Sequence, residues 1–137
     1  MLIKTGIRKT AGMISVIAAT AALGALATPA HAASSASVCS SRITTANSLN
    51  SSAIKADEPR ADPAAAAVYN IKTQKEIKNA VSDCRNESDA RAIKTYLDSA
   101  TQHAKRAEVA NKASKVTDAQ AAQTSVKSDL GKALAAA

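Results

Sequence analysis

Past Ala32 the chain holds one histidine, His103, and two cysteines, Cys39 and Cys84. A lone histidine beside two cysteines that can bond to each other assembles no zinc or copper cluster, so no metal site is expected. His103 follows Tyr96 by seven residues, two helical turns, which places both rings near one helix face where they could offer axial ligands to haem. The plainer reading of His103 is a solvated helix position. Serines are plentiful but fall in low-complexity stretches such as Ser34-Ser35 and Ser51-Ser52. None stands in a recognisable pattern with a base and an orienting group, so the chain is not read as an enzyme. Asp57, Glu58 and Asp62 make an acidic knot without the alternating oxygen donors or the glycine of a calcium loop. A solvated turn is expected there.

The cations form two sets. Lys72, Lys75 and Lys78 recur at intervals of three, and Lys105, Arg106, Lys112 and Lys115 cluster later. Either set could be an ordinary solvated face. Read functionally, they would dock the protein on anionic envelope polymers, on lipid head groups or on an envelope protein, an attraction strongest at low ionic strength. Nucleic acid is a poor partner for a chain with two tyrosines and no Trp or Phe, because stacking aromatics are missing.

The elements that must carry these residues are helical. Gly131 is the only glycine after residue 32, too few for tight hairpins or a phosphate-cradling loop, and alanine is abundant. The expected fold is all-α: an antiparallel hairpin of helices at about 38–56 and 63–84, then helices at about 87–114 and 118–134, forming a small Ala-rich bundle. In the first, Cys39, Ile43, Ala46, Leu49 and Ala53 repeat at helical spacing. The turn contains Pro59, and Asp62-Pro63 restarts the chain as an N-cap followed by proline at the first helical position. Ile77, Ala80, Val81 and Cys84 share a face of the second, and Val68 does not.

Cys39 lies 20 residues before Pro59 and Cys84 lies 21 after Pro63. Folding two such arms antiparallel brings the sulfurs level, which predicts a Cys39–Cys84 disulfide. Asn86-Glu87-Ser88-Asp89 supplies caps for the third helix, whose Ile93, Leu97, Ala100, Ala104 and Ala107 form a tapering seam. Thr117-Asp118-Ala119-Gln120 reads as a capping box for the fourth, with Ala119, Ala122, Val126, Leu130 and Ala133 inward and an Ala tail expected to fray.

The N-terminus reads as an address. Lys4, Arg8 and Lys9 precede an apolar run from Met13 to Ala27, and Ala30-His31-Ala32 suits signal peptidase, so cleavage is expected near Ala32. The run is shorter than a bilayer requires, and no transmembrane span is expected after processing. Residues 33–137 would then be a single domain of 105 residues, secreted or extracytoplasmic, with net charge +4 instead of +7. It holds fifteen Ile, Leu and Val, a thin apolar supply that makes the disulfide important. The function expected is a non-catalytic binding or structural module at the cell surface or in the extracellular space. The alternative is a secreted carrier of haem or another small hydrophobic ligand.

Overall fold

In the computed structural model, residues 29–58 and 61–137 are described, with side chains from Val38 onward. They form four α-helices: α1 (Pro29–Ala56), α2 (Pro63–Asp83), α3 (Ala90–Lys112) and α4 (Val116–Ala136). No described residue is in a strand. The chain divides into Met1–Ser34 and Ser35–Ala137. The expected leader's apolar run lies outside the described residues, as does Pro59.

Within Ser35–Ala137, α3 packs against α2 on one side and α4 on the other. The disulfide between Cys39 and Cys84 ties α1 to the end of α2, with Cα atoms 4.7 Å apart. Arg42 reinforces that seam, its Nε donating to Asp83 Oδ2 at 2.6 Å and its Nη1 to Glu76 Oε2 at 3.3 Å. These two carboxylates, Asp83 foremost, hold the guanidinium pKa above its ordinary value. Asn50 Nδ2 donates 3.0 Å to the backbone oxygen of Gln123, joining α1 to α4. Neighbours linked by short connections run antiparallel, so the helices close into an up-and-down bundle.

The local chemistry explains most boundaries. Asp62 caps α2 by accepting from the N–H of Ala65 at 3.0 Å, and Pro63 takes the first helical position. α1 reaches back to Pro29, nine residues before the expected start at Val38. The Ala- and Ser-rich segment after that proline contains no breaker. α3 begins at Ala90, after turns in which Glu87 N–H donates to Cys84 O and Ala90 N–H to Glu87 O. Neither α3 nor α4 has a side-chain cap hydrogen bond. The expected capping box therefore does not form. α4 starts at Val116, and the Gln120 amide reaches inward to the Asp57 carbonyl at 3.3 Å.

The reason lies in the preceding turn. Ser114 has φ 57°. Its N–H donates to Asn111 O, and Lys115 N–H donates to Ala110 O at 2.8 Å, closing a Schellman motif that stops α3 two residues before its expected end. Glycine adopts that left-handed conformation without the cost a Cβ incurs. Ser114→Gly is expected to raise stability by about 0.5–1 kcal/mol, measurable as an upward shift of the urea midpoint at constant slope.

Burial follows the expected seams with informative exceptions. Cys39, Ile43, Ile77, Ile93, Leu97 and Leu130 gather at the disulfide end. All five expected α3 seam residues are buried. Leu49 is only half-buried, and the α1 stripe passes through Asn50. Val81 and Ala122 are likewise half-buried, and Gln123 takes the interior place beside Ala122. The Ala tail, expected to fray, is helical to Ala136, and Ala136 and Ala137 pack on the core margin.

Candidate functional site

The end of the bundle opposite the disulfide has a polar interior. Asp57 is buried, which corrects the expectation of a solvated turn at that residue, whereas Glu58 and Asp62 are exposed as expected. Its carboxylate accepts Asn111 Nδ2 at 2.8 and 3.0 Å and Gln123 Nε2 at 2.8 Å. Asn70 Nδ2 donates to Asn111 Oδ1 at 2.7 Å, so the turn that ends α1 and the helices α2, α3 and α4 each contribute to one layer. Ala53, Ala66, Ala107 and Ala119, each four residues before a member of the layer, are fully buried. No group of three or more metal-ligating side chains occurs among the described residues.

A second cluster joins α3 to α4. Ser99 Oγ donates to Asp129 Oδ2 at 2.7 Å, and His103 Nδ1 lies 3.0 Å from the same oxygen. These are the residue types of a hydrolytic triad, but a triad requires the nucleophile on the imidazole nitrogen remote from the carboxylate. Here the serine proton is directed to the carboxylate, so the histidine does not activate it. The cluster orients the His103 ring toward a small groove that also contains Arg106, Asp118 and Ser125. Tyr96 packs on the core margin and does not line that groove. The sequence signal for this cluster was the four-residue spacing of Ser99 and His103, with Asp129 set inside the α4 seam beside Leu130.

The predicted cations separate into distinct places. Lys72 Nζ sits 5.5 Å above the Tyr69 ring. Lys112 Nζ binds Glu108 Oε1 at 2.6 Å, and Gln74 Nε2 donates to Glu108 Oε2 at 2.7 Å. The hydrogen bond from Lys112, then that from Gln74, hold the Glu108 carboxyl below the ordinary glutamate range. Lys75 and Lys78 line a groove between α2 and α3, whereas Lys105, Arg106 and Lys115 line another on the exposed side of α3.

The α2–α3 groove is the longest candidate site. Its two stretches, each of about 540 Å³, share Lys78 and Val81. Ile71, Val81 and Ala90 supply apolar lining. Lys75, Lys78, Arg85, Arg91 and Lys94 supply cations, with Asp98 as the one acidic group. From Ile71 to Arg85 the groove follows α2 and its C-terminal turn for about 21 Å. Lys94 pairs with Asp98 at 2.7 Å on the surface. Arg85, Arg91 and Lys94 were not singled out in the sequence, because they join Lys75 and Lys78 only when α2 and α3 fold antiparallel. The available signal was the seven residues from Lys78 to Arg85 and the three from Arg91 to Lys94.

The fold and its sites therefore define a disulfide-clasped, all-α bundle with a polar interior at one end and a cation-lined groove along α2 and α3. Set against models of known protein families, curated proteins and solved structures, the chain matches none. No described helix is long and apolar enough to cross a membrane.

Proposed function

We propose that this protein is an exported, non-catalytic module that binds a linear, phosphate-bearing polyanion of the cell envelope along the α2–α3 groove. The observation that supports it is where the charge lies. Five groove cations against one carboxylate give a local excess of +4, the whole net charge of residues 33–137. Charges elsewhere in that segment cancel. Isolated surface cations contribute little, but a row of them along a cleft produces a field that concentrates polyanions.

Export is supported by the leader-like N-terminus and by the disulfide, which is compatible with an oxidising compartment. The Ser99–Asp129–His103 arrangement supports the non-catalytic reading, since Ser99 donates to the Asp129 carboxylate and not to the His103 imidazole.

The test compares two triple variants with the same change in net charge. Lys75→Glu/Lys78→Glu/Arg91→Glu reverses the groove, and Lys55→Glu/Lys127→Glu/Lys132→Glu reverses exposed lysines on α1 and α4. On an immobilised glycerol-phosphate polymer at low salt, the groove variant is expected to bind at least about tenfold more weakly than the control variant. Equal losses would assign binding to net charge alone and overturn the proposal.

A further inference from the structure

A further cavity among the described residues belongs to neither the polar layer nor the α2–α3 groove. It lies along the exposed side of α3 and ends at the α3–α4 turn, with a volume of about 760 Å³, within the range of small-molecule sites. Its apolar part is Val109, Ala110 and Ala113. Val109 is 62% exposed, the most exposed large apolar side chain described. The two alanines are small enough to leave the hollow open. Around this strip stand Lys105, Arg106 and Lys115, none of them in an ion pair among the described residues, with Asp118 as the one acidic group. From Thr101 to Ala113 the cavity follows α3 and its C-cap for about 18 Å.

Two features must be explained together, a short apolar strip of about 6 Å from Val109 to Ala113, extended by the side-chain stems of Lys105 and Arg106, and the unpaired cations that flank it. A fully polar anion would leave Val109 in water, and a neutral lipid would leave the cations without partners. We propose that this cavity binds a single-chain amphiphile with an anionic head, the chain lying on Val109, Ala110 and Ala113 and the head held by Arg106 with Lys105 and Lys115. Arg106 also borders the neighbouring groove of about 310 Å³ that contains His103 and Ser125, so a head group at Arg106 has further polar partners within that wall. The site is separate from the polyanion groove: apart from Thr101, the two share no lining residue.

Titration calorimetry of the purified, oxidised protein tests this with dodecanoate and dodecyl maltoside, each below micelle formation. Dodecanoate is expected to bind saturably at one site, and the neutral-headed maltoside at least about tenfold more weakly. Lys105→Ala/Arg106→Ala should weaken dodecanoate by at least about tenfold, a loss of about 1.4 kcal/mol. Val109→Asp should abolish binding, and its exposed position leaves the core untouched. Lys75→Glu/Lys78→Glu should bind dodecanoate like wild type even where it has lost the polyanion. Absence of saturable binding, equal affinity for the two detergents, or loss in the Lys75→Glu/Lys78→Glu variant would each overturn the assignment.

Discussion

Replacing both cysteines, Cys39→Ala/Cys84→Ala, is expected to lower the unfolding free energy by about 4 kcal/mol, the cost of releasing a closed loop of this length in the unfolded chain. Two sulfurs 45 residues apart close most of α1, its turn and α2 into one ring. The ring matters because the core it clasps is small: Ile43, Ile77, Ile93, Leu97, Val126 and Leu130 are its large members, and much of the rest is alanine. For a domain of about a hundred residues this loss corresponds to a melting temperature lower by roughly 15–30 °C. Both cysteines are essentially buried, so alanine is the cleaner replacement; serine would add an unsatisfied hydroxyl. Thermal denaturation of wild type in a strong reductant should approach the double variant. A double variant melting where wild type melts would remove the clasp from the account of stability.

The second large effect belongs to the opposite end. Asp57→Ala is expected to cost about 3–5 kcal/mol, because it leaves the Asn111 and Gln123 amides buried without their charged acceptor. Removing the carboxylate also relieves the cost of burying it, and the two effects oppose one another. The stranded donors dominate, since alanine leaves a void that neither amide can fill. Asp57→Ala/Asn111→Leu/Gln123→Leu removes those two donors as well and should recover part of the lost stability; the Asn70 amide, deprived of Asn111 Oδ1, keeps the recovery incomplete. Urea denaturation of both variants measures the contrast; a single variant no less stable than the triple would contradict the interpretation of this layer.

These two ends differ in how far they could be read from the sequence. The disulfide end followed from periodicity and arm length, because Cys39, Ile43, Ile77, Ile93 and Leu97 are apolar, recur at helical spacing and have no other place to go. The polar end did not. Asn50, Asn70, Asn111 and Gln123 are residue types usually assigned to solvent, and Asp57 lies in what reads as an exposed turn. Each is buried only because partners on other helices meet it, a condition that no single helix encodes. The Asn111 position was visible as the place where the α3 seam departs from alanine, and the structure continues the same seam through it.

The boundaries show the same division. Asp62-Pro63 is a local signal and formed as read. Thr117-Asp118-Ala119-Gln120 is equally local in appearance, but the Schellman turn at Ser114 fixed where α4 starts and the Asp57 carbonyl drew Gln120 away. For the cations the limit was topology: spacing placed Lys75 and Lys78 on one α2 stripe, while joining them to Arg91 and Lys94 required the antiparallel packing of α2 on α3.

Backbone amide chemical shifts, followed while a soluble glycerol-phosphate polymer is titrated into the oxidised protein, test the α2–α3 groove most directly. The account predicts saturable changes concentrated around Lys75, Lys78, Arg91 and Lys94, reversed by raising ionic strength well above about 0.15 M. Changes centred on Lys127 and Lys132 of α4, or no saturable change at low salt, would contradict it.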